Sequence, residues 1–361
     1  MANKEEQSGT AAWRKAQRLR LRQARLSPSP TKRKSQQQRI LFNLEAYFPE
    51  LTGTTIGSYS AFRGEVNLLP FMKEHVSRGG RAALPVVVER NHPLEWWAWT
   101  PDTPLRPGIW DIPIPVERQL LDPAILMVPL LGFDSACYRL GNGGGYYDRT
   151  LAEMRPQPLC IGVGTELGRM ETIYPQPHDI PLDAVVTETG VHWPRSVPDG
   201  SEAGSSPVCY AQESPSHYAG YIAAAELLDH LRDLLMAERA GLRQVLALTD
   251  AMPNRDPQPV SALLRDEQRQ AARNCALLSG LIAHFGGEPN PTAKEPPTPG
   301  TTEDDLAGAL GKLALRHNQA VDTIRQMLSR IGDDEVHARL TCLMSRHEQS
   351  AQRVQAPGGT R

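Results

Sequence analysis

Apolar positions change period once along this chain. Up to about residue 190, short apolar runs bounded by proline and glycine alternate with amphipathic stretches. The runs at 56–59, 83–88, 96–99, 124–131, 159–163 and 184–188 predict strands. Helical spacing over 12–26, 35–47, 68–76 and 150–154 predicts helices between them, and the prolines of 110–115 predict an extended segment. Strands alternating with helices imply an α/β layered domain. Beyond about residue 218 no strand signal remains. Leu227, Leu231, Leu234 and Leu235, then Leu264, Leu278 and Ile282, then Leu310, Leu313 and Ile324, then Val336, Leu340 and Leu343 recur at helical spacing, which predicts an all-α four-helix bundle.

These periods divide the chain into a disordered tail at 1–11, an α/β domain at 12–192, a linker at 193–217 rich in Pro, Ser and Gly, and a helical domain at 218–355. A length of 361 residues accommodates two domains, and 40% hydrophobic residues suffice for two cores. The net charge of −2 excludes no partner, but residues 1–40 hold eleven Lys or Arg against Glu5 and Glu6. Without aromatic stacking platforms this basic helix reads as a charged face, and nucleic acid is not an expected partner. Five dispersed cysteines without a C-x-x-C pair, together with the lack of a membrane-length apolar run or signal core, predict a cytoplasmic protein with reduced thiols and no membrane contact.

The densest chemistry lies at 139–148, directly after the apolar run at 124–131. Gly141, Gly143, Gly144 and Gly145 strip side chains from this loop, so successive backbone N–H groups can turn into one concavity and hold phosphate oxygens. On glycine count alone an ordinary turn fits as well, and the spacing matches neither G-x-G-x-x-G nor G-x-x-x-x-G-K-[ST]. Arg139 before the glycines and Tyr146-Tyr147-Asp148 after them favour phosphate: a forked cation for the anion and a hard oxygen for Mg²⁺.

With Val128-Pro129, Gly132-Phe133-Asp134, Arg139 through Asp148, Pro177-His178-Asp179, Leu182-Asp183 and Val185-Val186-Thr187-Glu188 in order, residues 12–191 resemble the 5-formyltetrahydrofolate cyclo-ligase family. The resemblance implies a three-layer α/β/α sheet. It also implies ATP- and Mg²⁺-dependent conversion of 5-formyltetrahydrofolate to 5,10-methenyltetrahydrofolate, with both small molecules as substrates. By the same resemblance, Arg139 and Tyr147 are catalytic. Lys15, Arg18, Arg139, Gly141, Asn142, Gly143, Gly144, Gly145, Tyr146 and Tyr147 hold ATP. Glu65, Trp110 and Tyr146 hold the folate, and Asp148 and Asp179 bind the metal. Asn142 stands where the family often has Arg, and Gly144 where some members have Lys, so the loop has lost positive charge, and phosphate affinity is expected to be weaker or supplemented by the N-terminal helix. That loss admits a second reading, a non-catalytic nucleotide- or folate-binding protein of the same fold.

The helical half is similar to ferritin-like bundles appended to other bacterial proteins. Di-iron bundles need inward Glu-x-x-His pairs, and none occurs, so His230, His317 and His347 are expected on polar faces. Packing or self-association is the role this half predicts.

Overall fold

The computed structural model describes residues 2–48, 51, 53–194, 222–251, 259–289 and 306–355. It separates into two compact units, Met1–Arg195 and Ser196–Arg361. Most of the predicted linker, from 195 to 217, lies outside the described residues.

The first unit opens with two helices, α1 (Ala2–Leu26) and α2 (Pro30–Tyr47). The expected disordered tail is instead helical from Ala2, as the helix formers Lys4, Glu5, Glu6, Ala11 and Ala12 allow. Ser29 caps α2 by accepting a hydrogen bond from the Lys32 N–H, and Pro30 at the first helical position costs no hydrogen bond. The strands and remaining helices follow as β1 (Thr55–Gly57), α3 (Leu69–Ser77), β2 (Arg81–Val86), β3 (Glu95–Trp99), β4 (Leu105–Pro107), β5 (Pro113–Pro115), β6 (Ile125–Pro129), β7 (Gly132–Phe133), β8 (Arg139–Leu140), α4 (Tyr146–Glu153), β9 (Leu159–Val163), β10 (Ala184–Thr187) and β11 (Gly190–His192).

Seven strands form the main sheet in the order β11-β10-β9-β6-β1-β2-β3. The inner five are parallel, and β3 and β11 close the edges antiparallel. Every residue of β9 and β10 is buried, which is why their sequences read as unbroken apolar runs rather than alternating ones. Ile40 and Leu44 bury one face of α2 over β10 and β11. The main departure from expectation is α4, which begins at Tyr146 instead of about 150.

The second unit is a bundle of α5 (Ala224–Ala251), α6 (Pro259–His284), α7 (Leu306–Leu328) and α8 (Asp334–Gln355). α5 packs on α6 and α7 on α8, with α5–α7 and α6–α8 closing the square, so α5/α8 and α6/α7 are the diagonals. Gly286, at φ 72°, ends α6 in the left-handed conformation glycine adopts freely.

Candidate active site

The glycine loop connects β8 directly to α4. Gly143 (φ 101°) and Gly145 (φ 65°) occupy conformations that side chains disfavour. Gly145 sits at the N-cap without any side-chain cap, so the first-turn N–H groups of α4 are left for an external anion. Asp148 falls in that first turn.

These elements border a cavity of about 510 Å³. One wall comes from α1. Arg14, Arg18 and Arg22 are spaced four apart, so they share one face of the helix and line the cavity together. Arg14 Nη2 donates to Asp179 Oδ2 at 2.9 Å, Arg18 Nε to the Gly141 carbonyl at 3.0 Å, and Arg22 Nη2 to the Asn142 carbonyl at 3.0 Å. Lys15, expected to hold the nucleotide, is exposed and lies outside the cavity lining, whereas Arg14 and Arg22 line it beside Arg18. The reason is the helical repeat: one residue on from Arg14 is about 100° around the axis.

Arg18 shows how much positive charge has been gathered. Burial first, then Arg14 and Arg22, push its guanidinium below the ordinary value, a strain that an anion would relieve. Arg14 Nε, Arg22 Nε and the Tyr147 hydroxyl are buried with no hydrogen-bond partner among the described residues. Donors left unpaired in this way fit a polyanionic ligand.

Arg139 is almost fully buried. It donates through Nη2 to Asp148 Oδ1 and through Nη1 to the Ile180 carbonyl, both at 2.8 Å. Two of its bonds therefore fasten Asp148 and the 180 segment together. The Ile180 N–H also donates to Asp148 Oδ1, at 3.2 Å, which brings the neighbourhoods of Asp148 and Asp179 side by side. Each acid bonds through one oxygen, Asp148 through Oδ1 and Asp179 through Oδ2. No group of three or more His, Cys, Asp or Glu is placed to hold a metal among the described residues. Mg²⁺ is ordinarily held by one or two carboxylates plus phosphate oxygens and water, and two acids beside a phosphate-shaped concavity fit that role.

The opposite end is aromatic and apolar. Trp110 stands at the rim, 54% exposed, with its ring 5.7 Å from that of Tyr146 and edge-on to it. Trp110 and Asp111 both have φ near +60°, a conformation that costs stability and tends to occur at ligand sites. Ile109, Ile112, Ile114 and Phe62 extend the apolar wall. Glu65 accepts from the Phe62 N–H (3.0 Å) and the Asn142 side-chain amide (3.2 Å), and burial pushes its carboxyl above the ordinary value despite Arg25 at 3.8 Å. Burial raises the Tyr147 phenol as well, so at neutral pH it is a hydrogen-bond donor and not a base.

Apart from Lys15, every residue named from the sequence lines this one cavity. Arg14 and Arg22 were the omissions, and their spacing of four from Arg18 was the available signal. The apolar wall carried none, since its residues come from separate segments.

An α/β unit with a cation-rich, glycine-floored recess at one end of a cavity and an aromatic slot at the other is built for a small molecule that is anionic in part and flat in part. Comparison with known proteins is specific about which class. The profile of the 5-formyltetrahydrofolate cyclo-ligase family matches residues 10–188, and the chain belongs to that family. The 5-formyltetrahydrofolate cyclo-ligase of Escherichia coli K12 is 30% identical over 189 residues, covering 47% of this chain and 98% of that protein. The Haemophilus influenzae cyclo-ligase is 32% identical over 136 residues, covering 35% of this chain and 72% of that one. A solved Aquifex aeolicus 5,10-methenyltetrahydrofolate synthetase is 27% identical, with a TM-score of 0.45 over 53% of this chain and 99% of its own. The second unit matches a separate family, a domain of unknown function (DUF6306), over residues 225–356.

Proposed function

We propose that this chain uses ATP and Mg²⁺ to convert 5-formyltetrahydrofolate to 5,10-methenyltetrahydrofolate, releasing ADP and phosphate. The observation that carries this reading is the single cavity in which the Arg14–Arg18–Arg22 face, the glycine loop and two acids meet a slot lined by Glu65, Trp110 and Tyr146.

The chemistry needs a shared site. The N5-formyl oxygen is a weak nucleophile and a poor leaving group, so it is activated by taking the γ-phosphoryl group of ATP. N10 then attacks the formyl carbon, the ring closes, and the C–O bond breaks as phosphate departs. Protein groups contribute mainly by positioning and by neutralising charge. The α4 N-terminus, the loop N–H groups and the α1 guanidiniums take the phosphate oxygens. Asp148 and Asp179 would hold Mg²⁺, which supplies charge neutralisation on the phosphates when bound. Tyr147, held neutral, donates toward the oxygen that changes bonding. Glu65 accepts from the folate N–H groups, and Trp110 with Tyr146 grips the flat ring.

The non-catalytic reading rested on lost loop charge. Arg18 and Arg22, hydrogen-bonded to the carbonyls of Gly141 and Asn142, return that charge from α1, which removes its motive. Following methenyltetrahydrofolate absorbance with ATP and Mg²⁺ tests the proposal: product forms with both present and not when either is omitted. No product from wild type would restore the binding-protein reading.

A further inference from the structure

The basic face of α1 continues past Arg22. Three positions on, in the last turn of the helix, comes Arg25. A cation at a helix C-terminus is ordinarily left in solvent, where the dipole already favours it. Arg25 is instead turned inward, with 10% of its side chain exposed. Its one ion pair among the described residues is to Glu65, with Nη1 3.8 Å from Oε1. Its Nε and Nη1 are both buried with no hydrogen-bond partner among the described residues. An arginine buried to hold structure together would direct those donors at carbonyls; this one contributes charge in place of hydrogen bonds.

The backbone is shaped to bring the pair together. Gly64, at φ 78°, lets the chain pass against the end of α1: a Cβ there would lie 2.9 Å from a Leu26 methyl and 3.8 Å from Arg25 Cγ. Glu65 follows at once. Its side chain is 7% exposed and stands between the cavity of about 510 Å³ and a recess of about 280 Å³, lining both. Arg25 lines the recess and not the cavity. Seen from a ligand in the cavity, it stands behind the acid.

The separation of the pair decides its role. A carboxylate offers about four lone-pair positions. Glu65 Oε2 accepts from the Phe62 N–H at 3.0 Å, and Oε1 from the Asn142 side-chain amide at 3.2 Å. At 3.8 Å Arg25 is too far to occupy another position and near enough to favour the charge. Acceptor positions therefore stay open for the N–H groups of a flat heterocycle. No other full charge takes this place. Arg22 and Arg63 share the cavity lining with Glu65, and Arg33 and Lys34 of α2 share the recess, but none forms an ion pair with it among the described residues. Arg33 and Lys34 are also exposed, where salt screens them. The titratable neighbours Tyr59 and Tyr147 are both raised by burial and stay neutral. Burial pushes the Glu65 carboxyl up, and Arg25 opposes that rise together with the two hydrogen bonds.

Resting on the cyclo-ligase reading of the cavity, we propose that Arg25 is a positioning residue that keeps Glu65 ionised for the folate ring without touching the folate itself. An acid this buried loses more solvation as a ligand enters, which favours taking up a proton. A protonated carboxyl would present a donor where ring N–H groups need acceptors. The charge behind it prevents that exchange. One helix thus serves both ends of the cavity, with Arg14, Arg18 and Arg22 at the phosphate end and Arg25 at the folate end.

The test is calorimetric binding of 5-formyltetrahydrofolate to the full chain from acid to alkaline pH, followed by kcat/KM over the same range. An opposite charge at such a distance lowers a carboxyl by about 1–3 pH units. Arg25→Gln should therefore move the pH limb of folate affinity toward alkaline pH by at least about one unit, weakening binding about tenfold on the limb and little above it. The KM for ATP should hold, and Arg25→Lys should restore most of the limb. In Glu65→Gln the limb should vanish and Arg25→Gln should add nothing further, because it acts only through that acid. A loss of equal size at every pH, or one that persists in the Glu65→Gln background, overturns the proposal and leaves Arg25 a packing residue. Should Arg25→Gln not fold, Arg25→Met keeps the apolar stem and takes its place in the same comparison. Folate binding with an Arg25-dependent limb but no turnover supports the proposal and sinks only the catalytic reading. No folate binding by wild type sinks both.

Discussion

Arg14, Arg18 and Arg22 reach from one helix face into a cavity of about 510 Å³, with donor atoms left unused. Glu238, Glu267, His317 and His347 are instead buried inside the bundle, with His317 bonded to both Glu267 and His347. Both are buried polar groupings, yet their energetics differ. The unpaired Nε–H groups of Arg14 and Arg22 are buried, but they belong to side chains that line a cavity an anion can enter. The ionisable groups in the bundle are held by one another: His317 lies 3.1 Å from Glu267 and His347 3.5 Å from Glu238. Open excess charge points to a substrate that comes and goes, and closed, mutually paired charge to a structural role.

Substitutions separate the two regions, beginning with the largest effect. Asp148→Asn should lower kcat by about 100- to 1000-fold, the scale of losing one preorganised electrostatic group, as measured by methenyltetrahydrofolate formation. Turnover equal to wild type would take Asp148 out of the phosphate end. Next, Glu65→Gln should reduce kcat/KM for the folate by about 10- to 100-fold, the value of a hydrogen bond to a charged group.

Glu65→Gln also carries a pH signature. The carboxyl is raised by burial, so its contribution to stability is full below the unfolded value and is lost as pH rises through the folded one. Melting curves should show wild type losing ground to the variant from acid toward neutral pH. A pH-independent difference would mean that Glu65 is ionised as freely in the folded chain as in the unfolded one.

Smaller still, Arg22→Gln should raise the KM for ATP by about tenfold and leave the KM for the folate nearly unchanged. Lys15→Gln should leave both unchanged, and an equal loss in the two variants would contradict the helix-face assignment. Smallest is removal of the bundle. Residues 1–195 expressed alone should turn over within about twofold of the full chain, because the proposed catalytic residues all belong to the first unit. A larger loss would tie the second unit to catalysis.

Much of the first unit was legible in the sequence because parallel strands buried on both faces leave unbroken apolar runs, and because glycine at 141 and 143–145 is chemically conspicuous. The start of α4 was less so: Tyr146 and Tyr147 are weak helix formers, and the cavity they line decides their placement. The backbone at Trp110 could not be read, since nothing in Trp-Asp announces positive φ. The inward turn of His317 and His347 was equally hidden. A periodicity argument scores histidine as polar, and only the acids on other helices make it a core residue.

The bond between Arg14 and Asp179 joins positions 165 residues apart, with β9 and the glycine loop threaded between them. A nascent chain that has grown through the loop but not through residue 179 therefore has its phosphate turn without the far wall. Synthesis runs at about 5–20 residues per second, so that half-finished recess persists for seconds while α1, carrying its uncompensated arginines, waits for the segment that will hold it.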